Sequence, residues 1–398
     1  MGHTQAIMKE GHQMNNRINY DYDFRLITAI VFLLSLGLIM VASSSIAIAT
    51  NQFNEPLFYF WRQLVAVFIG LSLILFALKI PVHVWQTLST TLLIFGIVLL
   101  ILVLIPGVGR QINGSYRWIQ LGPVSMQASE PVKLFVITYL AAYLVRQNES
   151  VRLDFFGFFR PVILLTLIAG LLLLEPDYGA CVVLFGAALG MLFLAGVPAA
   201  RFFAWVMVAI STLITLAILS PYRLQRLMSF TDPWQDPYDS GFQLTQALIA
   251  FGRGDWFGMG LGSSVQKLFY LPEAHTDFLF AVLAEELGIA GTVTVILVFS
   301  FIVWRAFIIA SEAEIAGKLY SAYFAYGVGL IISIQVFINI GVNLGVLPTK
   351  GLTLPLMSYG GNSLVITCLM LGVLLRIDYE NNSRRPVNIT TEKYTYAT

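Results

Sequence analysis

The sequence predicts an all-α, polytopic membrane protein with about ten transmembrane helices and a large outer loop between spans seven and eight. Of its 398 residues, 58% are hydrophobic and only 11% are charged. Soluble proteins carry about 25% charged residues, so a water-soluble globule, a disordered chain and a disulfide scaffold are excluded. The apolar runs are also continuous, as in LLIFGIVLLILVLI at 92–105. They lack the alternation of a β-barrel, so the spans are helices. Finally, 23 Lys and Arg nearly balance 22 Asp and Glu, which leaves no basic footprint for nucleic acid.

A spanning helix needs roughly 20 mostly apolar residues. Runs at 26–47, 59–78, 84–105, 131–146, 160–174, 178–195, 201–219, 276–304, 319–345 and 355–375 meet this in order, the fourth to sixth being short. Ten spans place both termini on one side. The positive-inside rule makes that side the cytoplasm, because Lys and Arg flank its short loops and tails. The chain divides into a tail at 1–23, a membrane unit at 24–376 with a large outer loop at 220–275, and a tail at 377–398. A second outer loop covers 106–129. Cys181 and Cys368 sit in apolar runs and read as small buried hydrophobes.

Ionisable residues at membrane depth are costly and each needs a reason. Glu130 and Lys133 open the fourth span as SEPVK and share a helix face. They form either a local ion pair or an anion site in which Glu130 holds Lys133. Arg62, in WRQ, either snorkels to the headgroups beside Trp61 or faces a ligand. Asp177 follows the helix-breaking Pro176, as a helix N-cap or as a functional acid. Asp277 lies where Thr276 or Asp277 starts a long apolar helix, as an N-cap or first-turn acid with His275, Glu273 and Lys267 close upstream. Glu285 and Glu286 lie further down that helix and need partners or water.

The segment 241–251 reads as a short amphipathic helix, and GRGDWFGMGLG at 252–262 as a compact loop with close backbone approaches. Gly360 and Gly361 fall inside the last span, for close packing or for a broken helix around a ligand. Cations at the outer face (Arg110, Arg117, Lys133, Lys267, Lys350) stand among the carboxylates Glu130, Asp177 and Asp277. Such a set suits a phosphate-bearing lipid headgroup, with one carboxylate as general base.

The run GFQLTQALIAFGRGDWFGMGLGSSVQKLFYLPEAHTDFLFAVLAEELG (241–288) resembles the SEDS family (shape, elongation, division, sporulation), its cell-division branch more than its rod-elongation branch. SFTDPW (229–234), INGSYRWIQLGP (112–123), SEPVK (129–133), EPDYG (175–179) and PTKGLTLPLMSYGGNS (348–363) fit the same family in the same order. The resemblance implies a ten-helix peptidoglycan glycosyltransferase of the bacterial inner membrane. It would polymerise lipid II at the division septum, from an undecaprenyl-pyrophosphate-linked glycan. Its partners would be a class B penicillin-binding protein and other divisome proteins.

The family's essential acid maps to Asp277, its Glu/Lys pair to Glu130 and Lys133, and its acid after the fifth span to Asp177. Its late-loop Lys maps to Lys350 and its RWI Arg to Arg117. Arg62, Arg110, Lys267 and Ser358 complete the expected substrate-binding set. The sequence departs from the family pattern at Tyr116, Ala128 and Glu175, where Arg, Pro and Gln are usual. A divalent cation, Mg or Mn, is left open as cofactor. A lipid II flippase is the rival reading, and a non-catalytic division scaffold a third.

Overall fold

The computed structural model describes residues 22–112, 115–122, 124–218, 230, 232–239, 241–348 and 351–383. Lys350, most of both tails and residues 219–229 of the large loop lie outside the described residues. Among the described residues the chain forms helices α1 (Phe24–Phe53), α2 (Phe58–Lys79), α3 (Val82–Leu104), α4 (Ser129–Arg146), α5 (Asn148–Leu153) and α6 (Phe155–Leu174). There follow α7 (Tyr178–Leu194), α8 (Ala199–Ile218), α9 (Phe242–Gly254), α10 (Leu279–Ile315), α11 (Leu319–Asn343) and α12 (Gly361–Asn382). Between α3 and α4 lies an antiparallel sheet in the order β1 (Gly109–Ile112), β2 (Ser115–Leu121), β3 (Val124–Gln127).

Helices occupy all of the expected spans. Among the described residues, seven of them (α1, α2, α3, α6, α10, α11 and α12) are long and apolar enough to cross a membrane. α4 carries Glu130, Lys133 and Arg146 in its 18 residues, α7 has 17 residues, and α8 is apolar over Ala199–Thr212. Two expectations need correction. The eighth span begins at Leu279 rather than at 276, and its helix runs on to Ile315. The last begins at Gly361 rather than at 355, so Gly360 and Gly361 open a helix instead of lying inside one.

Helix ends follow local chemistry. The Asp23 carboxylate accepts from the Arg25 and Leu26 N–H groups and caps α1. Pro81 precedes α3, where a missing N–H costs nothing. α4, α11 and α12 form the buried interior, while α2 and α3 turn apolar faces outward (Phe68, Leu75, Ile94 and Phe95 are exposed). α2 and α12 approach closely across small residues: a methyl at Gly372 would lie 2.9 Å from Ala77 Cβ.

The break in α10 positions the half of the molecule that holds Asp277. Gly288 leaves helical conformation (φ 65°, ψ −163°). A break in an apolar helix strands backbone groups that must find other partners. The loop after α9 supplies them. The Met259 and Gly260 N–H groups donate to the Glu285 and Glu286 carbonyls at 2.9 and 3.1 Å. The Ile289 and Ala290 N–H groups donate to the Asp255 and Trp256 carbonyls at 2.9 and 3.0 Å. The glycine-rich run is thus the compact, closely approaching loop that its composition predicts.

The neighbouring carboxylates hold the same loop. Glu285 accepts from Ser264 Oγ (2.5 Å) and from the Val265 and Gln266 N–H groups, and pairs with Arg253 at 3.1 Å. Glu286 pairs with Lys267 at 2.8 Å and accepts from Ser43 Oγ of α1. Gly258 (φ 79°) sits at the centre, where a methyl would lie 2.1 Å from the Glu286 carbonyl oxygen. Gly258→Val therefore costs at least about 2 kcal/mol through backbone strain and overlap. Thermal unfolding in detergent should show a clear drop in midpoint; an unchanged midpoint contradicts this packing.

Candidate active site

Asp277 stands just ahead of α10. Because Phe278 precedes the first helical residue, Asp277 is not the N-cap that the sequence suggests. Its backbone is held instead by α11. The Asn339 and Asn343 side-chain amides both donate to the Asp277 carbonyl at 3.0 Å. Asn343 Oδ1 also accepts from the Ala281 N–H at 3.1 Å, which satisfies a first-turn donor of α10. The Asp277 carboxylate is half-buried, and a methyl at Gly351 would lie 2.9 Å from its Oδ2. A side chain at 351 would have to push the carboxylate aside.

That segment is the floor shared by the site residues. Asn339 Nδ2 donates to the Leu352 carbonyl at 2.6 Å and Gln335 Nε2 to the Thr353 carbonyl at 3.0 Å. Gln335 Oε1 in turn accepts from Lys133 Nζ at 3.1 Å. Lys133 is 2% exposed and pairs with Glu130 at 3.0 Å. The ion-pair reading of SEPVK therefore holds, and the pair also reaches the segment beside Asp277 through Gln335. Ser358 closes the turn: its hydroxyl accepts from the Leu354 N–H, and its carbonyl accepts from Gln63 Nε2.

Asp177 is a helix N-cap, as one of its two readings has it. Its Oδ1 accepts from the Ala180 N–H at 3.2 Å, and its Oδ2 from Ser129 Oγ at 2.8 Å and Gln127 Nε2 at 3.2 Å. It thereby joins the starts of α4 and α7. Leu352 packs on this end of α7, since a methyl at Gly179 would lie 2.8 Å from it. Arg117, on β2, donates to the carbonyls of Glu175 and Pro176 at 3.2 and 2.5 Å and fixes that turn. On the other flank Arg62 is exposed, with its guanidinium 4.5 Å from the Phe58 ring. His275 packs between Tyr59 and Tyr359 (4.5 and 5.5 Å between centroids), and its carbonyl accepts from the Tyr359 N–H. Burial lowers the His275 pKa against the pull of Glu273.

Several expected binding residues are placed otherwise. Lys267 was expected to grip an anion; it is buried and its charge is answered by Glu286, with Ser43 Oγ 2.9 Å away. Ser358 is buried, and its hydroxyl oxygen accepts from the backbone, so it shapes the segment. Arg110 stays on the sheet, exposed, donating to Gln120 at 3.3 Å. Lys350 lies outside the described residues. Among the described residues no group of three or more His, Cys, Asp or Glu side chains could hold a metal. Gln335, Asn339 and Asn343 escape the sequence reading. Their signal is a carboxamide every fourth residue on one face of an otherwise apolar span.

Glu175 is fully buried in the turn between α6 and α7, and neither carboxylate oxygen has a hydrogen-bond partner among the described residues. Burial, then the charge of Asp177, push its pKa up to about 8 against the pull of Arg117. The folded protein therefore holds a proton there that the unfolded chain releases near the ordinary carboxylate range. Between those two values the native state binds more protons, so stability falls as pH rises. Glu175→Gln should remove that slope and stabilise the protein by about 2 kcal/mol at about pH 9, with little effect at about pH 5. Parallel pH–stability curves for both proteins would contradict the buried, neutral acid.

Comparisons with known proteins place the chain in a family. The model of the FtsW/RodA/SpoVE family, described as "Cell cycle protein", matches residues 24–383. A "Probable peptidoglycan glycosyltransferase FtsW" of Thioalkalivibrio sulfidiphilus is 52% identical over 385 residues, 97% of this chain and 96% of that protein. Its namesake in Coxiella burnetii is 53% identical over 371 residues, 93% and 100% of the two chains. Among solved structures, a chain from a peptidoglycan synthase complex aligns with TM-score 0.74 at 29% identity, covering 90% of this chain and 98% of that one. Thermus thermophilus RodA, a rod shape determining protein, aligns with TM-score 0.67 at 28% identity, covering 90% and 97%. A match over nearly the whole membrane unit, joined to relatives of more than half identity, makes the chain a member of the SEDS family, in its FtsW branch.

Proposed function

We propose that the chain is a peptidoglycan glycosyltransferase that polymerises lipid II into glycan strands during septal wall synthesis. The observation that carries this reading is the half-buried Asp277 carboxylate lying against the 351–360 segment, whose far side reaches Lys133 through Gln335. A single acid beside a segment with cationic neighbours suits inverting transfer from a lipid diphosphate. Asp277 takes the proton from the 4-hydroxyl of the lipid II glucosamine as that oxygen bonds to the anomeric carbon of the glycan's terminal muramic sugar. The bond from that carbon to the diphosphate oxygen breaks, and the lipid diphosphate leaves with its electron pair. It needs charge stabilisation more than a proton.

Arg62, exposed beside Tyr359, is the described cation best placed to meet the headgroup. Lys350, which the family resemblance assigns to substrate binding, would be a second. Lys133, buried against Glu130, sets the local field and the position of Gln335. A divalent cation, Mg or Mn, would enter with the diphosphate rather than on a site of protein side chains alone.

The relatives' names and the likeness to a chain of a peptidoglycan synthase complex support the polymerase reading and a protein partner. That partner would be a class B penicillin-binding protein, within the wider divisome. The multiple apolar helices and the family make the chain a multi-pass membrane protein. Location in the inner membrane at the septum, with both termini cytoplasmic, completes the proposal.

Purified protein incubated with lipid II in detergent tests the reaction. Wild type should form glycan polymer, and Asp277→Asn should lower the yield at least about 100-fold. A lipid transporter would leave lipid II unpolymerised in micelles, and polymer at wild-type yield from Asp277→Asn would remove that acid from the chemistry. Asn339→Leu, which frees the Leu352 carbonyl and leaves the Asp277 carbonyl to Asn343 alone, should cut kcat about 10–100-fold with little change in KM. An unaltered kcat would show that α11 does not position the acid.

A further inference from the structure

The tip of the glycine-rich loop, residues 256–261, carries large apolar side chains that nothing among the described residues covers. Trp256 is 66% and Phe257 84% exposed, and Met259 and Leu261 are more than half exposed. Exposed apolar groups so close together mark a surface that meets a partner or a lipid. The loop's attachment decides between them. The Ile289 and Ala290 N–H groups bond to the Asp255 and Trp256 carbonyls, which pins the tip to α10 just past its break. From that point α10 runs as an apolar helix, with Ile289, Val293 and Leu297 exposed at a four-residue spacing along one face. In a membrane-spanning helix such a stripe faces lipid, and the loop tip continues it beyond the helix end.

The backbone of the tip is also prepared for a dry environment. The N–H groups of Gly258, Met259 and Gly260 donate to the carbonyls of Gly254, Glu285 and Glu286. Irregular backbone enters a poorly hydrated zone only when its polar groups are already paired. Trp and large apolar side chains favour the headgroup–acyl boundary.

We propose that residues 256–261 lie in the interfacial zone of the bilayer, in the leaflet holding the Ile289 end of α10. Trp256, Phe257, Met259 and Leu261 would sit among lipid headgroups and upper acyl chains. The large outer loop is then tethered to the membrane at its tip, whatever reaction the chain performs.

A nitroxide label tests this. Cys181 and Cys368 are buried, so Phe257→Cys in the full-length protein supplies the reactive thiol, and unlabelled parent protein is the control. Met259→Cys is the second site, should the first variant fold poorly. In vesicles of phosphatidylcholine and phosphatidylglycerol, dissolved oxygen should relax the label more than a water-soluble nickel chelate does, as for a label at Leu297→Cys. Stronger relaxation by the nickel chelate at both loop sites would overturn the proposal, and so would shielding from it that appears only when another protein is added.

Discussion

Three carboxamides on one face of α11 hold together the half of this molecule that carries Asp277. Gln335, Asn339 and Asn343 stand four residues apart and face the two irregular segments that the helix bundle must accommodate. Each segment brings backbone carbonyls into an apolar interior, where an unanswered polar group costs several kcal/mol. The amides answer the Asp277, Leu352 and Thr353 carbonyls, and Asn343 completes the first turn of α10. Because Gln335 also meets Lys133, one helix face relates the acid, the segment beside it and the buried ion pair. A single amide with two donors, as at Asn339, leaves little freedom in the spacing of the two segments.

Buried charge is managed by pairing. Lys133 faces Glu130 and Lys267 faces Glu286 in buried pairs, and the partly exposed Arg253 covers the buried Glu285. Such pairs contribute little net stability, but losing one partner leaves a costly lone charge. Their effect here is positional, since Glu285 and Glu286 bind the loop that repairs the break at Gly288. Glu175 is the exception among these acids: it is buried beside Asp177, has no hydrogen-bond partner among the described residues, and has its pKa pushed up to about 8.

Much of this was legible in the sequence because it depends on local pattern. Continuous apolar runs marked the helices, a Pro before an Asp marked the start of α7, and i, i+3 spacing marked the Glu130–Lys133 pair. The glycine-rich loop announced its close approaches. What escaped depends on contacts distant in the chain. Lys267 looks like a free loop cation until Ser43, 224 residues away, and Glu286 are folded against it. The true start of α10 is set by Asn343, 62 residues beyond the N–H that it caps. The sheet at 109–127 arises in a loop whose mixed Gly, Pro and aromatic content hid its short strands.

The spatial relation between Asp277 and the 351–360 segment is the central claim, and a cryo-EM structure of the purified protein with bound lipid II probes it most directly. The described geometry predicts the sugar's 4-hydroxyl within about 3 Å of the Asp277 carboxylate and the diphosphate against the 351–360 segment. Headgroup density bound elsewhere, with Asp277 facing no sugar, would contradict it.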